Sequence, residues 1–230
     1  MNAGGGVNVG GGVNVGGECA IGAGGRASGV GVVLALGVVW VAAVCCGLAV
    51  LVDYATTPTD GDDPARHWPE RSRLPPPAGR PVLVMFAHPR CACTRASLGE
   101  LALIMTRCRH SVTTHVLFLR PEGAAADWWK TDLWDSAGSI PGVSVATDEQ
   151  GAEAKLFGAT VSGETLLYDR EGRLIFNGGI TGARGHFGDN DGRRAVVDLI
   201  EGRSAPRAAG LVFGCALRNP RPEAGMAGVP

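Results

Sequence analysis

The apolar positions of this chain fall into distinct regimes. From Val30 to Val52 no residue is charged and nearly all are apolar (VGVVLALGVVWVAAVCCGLAVLV). A helix over that span rises roughly 35 Å, enough to cross a hydrocarbon core of about 30 Å. The run exceeds the apolar stretch of a cleaved signal peptide. A core helix of such length normally carries a polar face, and this one has none. One transmembrane helix over 29–52 is therefore predicted.

Beyond Pro81 the pattern breaks into short blocks. PVLVMFA (81–87) is a continuous apolar run, as in a strand buried on both faces. Cys91 to Arg107 predicts a helix. Leu98, Leu101, Ala102, Met105 and Cys108 recur on one face, and Gly99 weakens it slightly. HVLFL (115–119) predicts a second strand. Ala124 to Asp135, carrying Trp128, Trp129 and Trp134, predicts a second helix. Val143 to Ala146 is a third strand and Gln150 to Phe157 a short helix. TLLY (165–168) and RLIFN (173–177), joined by a short loop with Gly172, predict a hairpin. Asp191 to Ile200 is the last helix. Parallel units followed by an antiparallel hairpin imply an α/β domain, with a mixed sheet covered by helices on both faces.

Composition divides the rest. Residues 1–28 are glycine-rich, with GGGVNV at Gly4–Val9 and again at Gly10–Val15, and predict a tail without a fold. Residues 53–78 contain TTPTDGDDP and several further prolines and predict an extended spacer. The folded domain is expected over 79–218, and 219–230 as a flexible tail. The net charge of -1 gives no basic bias towards nucleic acid. Short flanks before a lone anchor predict a single-pass cell-membrane protein whose soluble domain faces the periplasm or exterior.

The candidate chemistry is sulfur. In FAHPRCACTRAS (86–97), Cys91 and Cys93 follow a buried strand and open a helix. A helix N-terminus favours a thiolate, and His88, Arg90 and Arg95 stand nearby in sequence. Cys108 lies on the apolar helix face and reads as packed. Cys215 reads either as a resolving thiol or as a packed residue. His186 lies in GGITGARGHFGDN (178–190) and either points into the site or sits exposed on a turn. The three tryptophans read as packing.

On these residues the chain resembles the thioredoxin-like superfamily, in its membrane-tethered redoxin branch. FAHPRCACTRAS stands where that superfamily has its strand, loop and Cys-x-x-Cys helix start. ATDEQGAEAKLFGATVSGETLLYDREGRLIFNGGI (146–180) resembles the second half of the fold. With the late FGC (213–215), the chain looks most like the group named RedB. Two positions depart from the pattern. The cysteines are spaced Cys-x-Cys, so a disulfide between them closes a small, strained ring that is easily reduced. Ser162, Gly163 and Glu164 stand where the family has a cis-proline.

The resemblance implies thiol–disulfide exchange with Cys91 as nucleophile and Cys93 or Cys215 resolving, acting on protein thiols and disulfides or a small thiol. An alternative is a copper-binding domain using Cys91, Cys93 and His186, with Cys215 as a further ligand. No phosphate loop, Ser-His-Asp set or dinucleotide fingerprint is present, so no organic cofactor is implied.

Overall fold

The computed structural model describes residues 25–59, 61, 63–125, 127–205 and 209–217. Cys19, most of the predicted N-terminal tail and the 219–230 tail lie outside the described residues. Two compact units divide the chain, 1–48 and 49–230.

The described residues of the first unit are those of helix α1 (Gly25–Thr56) up to Leu48. α1 begins inside the stretch expected as tail. Over Gly29–Thr56 its most apolar window has a mean hydropathy of 2.6, and none of that window is buried. By length and composition it is able to cross a membrane.

The second unit is built on a five-stranded sheet in the order β3-β2-β1-β4-β5. β1 (Val82–Ala87) lies at its centre and every residue of it is buried, as its unbroken apolar run requires. It pairs in parallel with β2 (Thr113–Arg120), which pairs in parallel with β3 (Val143–Glu149). On the other side it runs antiparallel to β4 (Thr165–Tyr168), which forms the hairpin with β5 (Leu174–Gly178).

Alternation along β1 sends Leu83, Met85 and Ala87 into one core, and Val82, Val84 and Phe86 into the other. The first core is closed by α2 (Ala92–Cys108), α3 (Asp132–Gly138) and α5 (Asp191–Ile200). The second is closed by α4 (Ala152–Phe157), Trp68 and Leu74. Helices thus cover both faces, as the block order predicts.

Two expectations fail. The helix predicted over 124–135 is absent, and α3 starts only at Asp132. Trp128 is instead held against the His88 ring, at 5.5 Å between centroids, and Thr131 Oγ1 donates to the Pro89 carbonyl. Those tertiary contacts override the helical pattern. Residues 63–74, expected in an extended spacer, pack on the second core. The Trp68 ring meets Phe157 and Tyr168 edge-on at 5.0 and 5.3 Å. Ser72 Oγ and the Arg73 backbone N–H both donate to the buried Glu153 carboxylate.

Candidate functional site

The site is assembled where β1 gives way to α2. Cys91 is the N-cap of α2 in an extended conformation, and its N–H donates to the His88 carbonyl at 3.2 Å. The following turn is fixed by buried side chains. Thr94 Oγ1 donates to the His88 carbonyl at 3.1 Å and lies 2.8 Å from Ser162 Oγ, which in turn accepts the His88 N–H at 2.9 Å. Cys91 and Cys93 therefore enter the first turn of a 17-residue helix on a braced loop.

The second half arrives from the C-terminal end. Residues 212–217 form a strap that runs antiparallel to 160–162. Val161 bridges Ala216, the Ser162 N–H donates to the Cys215 carbonyl at 2.8 Å, and the Leu217 N–H donates to the Thr160 carbonyl at 2.8 Å. Leu217 plugs into the second core. Gly214 permits the approach, because a Cβ there would stand 1.9 Å from the Ser162 carbonyl oxygen. Gly163 is needed on the facing side: its φ is +90°, and a Cβ would meet Ser97 Oγ at 2.8 Å.

These contacts put Cys215 Sγ 3.0 Å from Cys91 Sγ. The hydrogen-bonded partner of the first cysteine is thus a residue 124 positions away. A covalent S–S bond needs about 2.05 Å, so a small movement links the pair.

Environment separates the three thiols. Burial acts to raise Cys91, but donation from the Cys215 thiol and from the backbone N–H groups of Cys215, Thr94 and Cys93 outweighs it. Cys91 titrates below the ordinary thiol range. Burial pushes Cys93 up, as do the charge and the hydrogen bond of Cys91, while the Gly185 N–H and the Arg184 charge oppose this. Cys215 is pushed up to about 12 by burial, by its donation to Cys91 and by the charges of Cys91 and Cys93. Its proton is therefore held at physiological pH, and Cys91 is the sulfur favoured as thiolate. His88 is lowered by burial and by Arg90, which keeps it neutral near pH 7.

The positive neighbours differ from those expected. Arg95 turns away to Asp132, and the Arg90 guanidinium stacks 5.2 Å from the Trp128 ring centre. The cation that acts on the site is Arg184, from the glycine-rich loop 178–190. No sequence signal marked it beyond its place in that loop. His186, from the same loop, is exposed. Among the described residues no three His, Cys, Asp or Glu side chains gather so as to hold a metal ion. Cys91, Cys93 and His186 are accordingly not gathered into such a group in this structure. Cys108 is buried under α2 in the first core, as expected.

No protein-family model matches the chain, and no curated protein matches it in sequence. Solved structures do match in shape. A hypothetical protein from Sinorhizobium meliloti is 20% identical with a TM-score of 0.56, covering 69% of this chain and 97% of its own. An uncharacterized conserved protein from Geobacillus kaustophilus is 14% identical with a TM-score of 0.52, covering 72% and 94%. The exposed lipoprotein thioredoxin Etrx1 from Streptococcus pneumoniae is 17% identical with a TM-score of 0.41, covering 55% and 87%. The described fold, a five-stranded mixed sheet with helices on both faces, is shared with the first two. Ser162 and Gly163 lie just ahead of β4, at the place that the resemblance reserves for a cis-proline. No cis peptide occurs among the described residues.

Proposed function

We propose that the chain is a membrane-anchored thiol–disulfide oxidoreductase of the RedB type, in which Cys91 is the nucleophile and Cys215 resolves. The observation that carries the reading is the 3.0 Å approach of Cys215 to a Cys91 thiol that hydrogen bonding, against the opposing effect of burial, favours as thiolate. The late FGC motif thereby gains a chemical role. α1 serves as the anchor, on the strength of its uncharged 30–52 segment, and the domain faces the periplasm or exterior.

The Cys91 thiolate attacks one sulfur of a substrate disulfide. A mixed disulfide forms, and the other substrate sulfur leaves as a thiolate. Cys91 has then lost its negative charge and accepts no hydrogen bond from Cys215. Two of the causes that hold the Cys215 proton disappear with that step. Cys215 gives its proton to the departing thiolate and attacks Cys91 Sγ. The products are the Cys91–Cys215 disulfide, one substrate thiol and one substrate thiolate, which takes its proton from water. The reverse sequence oxidises a dithiol. Cys93, held higher in pKa, remains protonated beside the nucleophile.

A groove of about 710 Å³ adjoins the strap, with His88, Gln150, Ala216 and Leu217 among its lining residues. It offers room for a protein segment that carries the reacting sulfur. The reading is tested by incubating the full-length protein in detergent with a dye-labelled peptide disulfide and dithiol donor. Turnover lost in Cys91→Ser and trapped as a Cys91 mixed disulfide in Cys215→Ser supports it. Turnover retained in Cys91→Ser removes it.

A further inference from the structure

Resting on that reading, the surroundings of Cys215 point to a residue that sets its reactivity. The strap is fastened on both sides of this cysteine. On the C-terminal side, backbone pairing with 160–162 and the Leu217 side chain hold it. On the N-terminal side the Gly214 carbonyl is held by a side-chain cluster. Arg184 Nη1 donates to it at 2.6 Å and Thr59 Oγ1 donates to it at 2.8 Å. Arg184 Nη2 donates to Thr59 Oγ1 at 2.8 Å, which closes a triangle of hydrogen bonds.

The same arginine grips Tyr54–Thr59. Its Nε donates to the Tyr54 carbonyl at 3.1 Å, and its backbone N–H donates to the Ala55 carbonyl at 2.9 Å. Its guanidinium lies 5.0 Å from the Tyr54 ring centre. The Thr59 N–H adds a bond to the Val212 carbonyl at 2.9 Å. A planar fork with five donors satisfies acceptors on two chain segments at once in a preorganised geometry, whereas a compact ammonium offers three donors from a single nitrogen. The acceptors are carbonyls and a hydroxyl, all neutral, so these bonds leave the charge of Arg184 uncancelled. That charge favours the thiolates of Cys93 and Cys215.

We propose that Arg184 is a positioning residue that fixes Cys215 against Cys91 by bolting Gly214 to Tyr54–Thr59. The redox equilibrium of the pair then depends on the segment that leaves the apolar helix. A pull or rotation at Tyr54–Thr59 is transmitted through one guanidinium to the residue before Cys215. Forming the Cys91–Cys215 disulfide from two thiols gives up two electrons and two protons, and a small disulfide such as oxidised glutathione accepts both to become two thiols. The equilibrium constant of that exchange reads the effective concentration of Cys215 at Cys91.

The test uses the full-length protein in detergent, equilibrated across glutathione redox buffers and acid-quenched. Arg184→Met should lower the equilibrium constant for the Cys91–Cys215 disulfide by about tenfold or more, the scale of lost charge-assisted hydrogen bonds. Arg184→Lys should recover only part of it. Thr59→Val, the milder change, should lower it by a few-fold, with less than additive loss in the double variant. Denaturant unfolding of Arg184→Met should stay as cooperative as that of the wild type, whereas general damage to the fold would broaden it. Equal constants for the wild type and Arg184→Met overturn the proposal. A wild type that forms no Cys91–Cys215 disulfide overturns the functional reading, and the proposal with it.

Discussion

The two sulfurs that meet in the site are held in opposite ways. Cys91 stands between a central strand and a long helix, and its loop is braced by neighbours close in sequence such as His88 and Thr94. Cys215 belongs to no regular element. Backbone pairing with 160–162, one buried leucine and the Arg184–Thr59 cluster hold it. The first arrangement gives the proposed nucleophile an environment that is set by the fold as a whole. The second gives a partner whose distance is set by a few contacts, each open to adjustment. A rigid half and an adjustable half suit a thiol pair that has to open to a substrate and close again.

The comparison is broken most severely at the rigid half. Cys91→Ser should lower disulfide exchange with a reporter by about 1000-fold or more, measured as initial rate. Loss of the adjustable half should be gentler. Gly214→Ala forces a Cβ to within 1.9 Å of the Ser162 carbonyl oxygen, and backbone cannot swing aside as a side chain can. At an overpacking cost of about 1–3 kcal/mol, the Cys91–Cys215 disulfide constant should drop by about 10- to 100-fold while Cys91 stays reactive. An unchanged constant would show that the strap does not dock as described.

The same division explains what was legible in the sequence. The segments carried by local pattern were readable: the apolar β1, the hairpin at Gly172, α5 over Asp191–Ile200 and the thiols at the start of α2. Segments fixed by distant partners were not. Trp128 sits in a run with helical spacing, yet its ring is committed to His88 and Arg90. Trp68 sits among prolines and charges that suggest a spacer, yet it closes the second core. Gly99 reads as a weak spot in α2, but a Cβ there would stand 2.8 Å from the Phe187 ring, so the glycine makes room for the loop that carries Arg184. Arg184 was hidden for the same reason, since its partners lie about 130 and 30 residues away. Cys215 was visible as a resolving thiol or as a packed residue, and the sequence did not decide between them, because antiparallel pairing with 160–162 leaves no periodic trace in six residues.

Two smaller effects sharpen the contrast. Glu100, fully buried on α2, accepts from the Gly188 N–H at 2.6 Å and from Arg193 Nη1 at 2.7 Å, so it ties the Arg184 loop to the rigid half. Glu100→Gln should cost about 1–3 kcal/mol in denaturant unfolding, limited by the partial exposure of Arg193. A cost near zero would mean that the loop is not anchored there.

The smallest effect is on titration. The folded Cys91 lies below the ordinary thiol range in part because Cys215 donates to it. Its rate with a small disulfide should therefore rise with pH and level off once its lowered pKa is passed. In Cys215→Ala the inflection should move to higher pH, leaving less thiolate at neutrality. Thiolate absorbance followed against pH checks the sign, and a downward move would contradict it.

The central claim is the pairing itself. Trypsin places Cys91 in CACTR (91–95) and Cys215 in AAGLVFGCALR (208–218). Full-length Cys93→Ser protein, mildly oxidised and digested without reductant, should yield peptides 91–95 (with the serine at 93) and 208–218 joined by one disulfide, and reduction should release them. Recovery of both peptides unlinked, with Cys91 still a free thiol, would contradict the account.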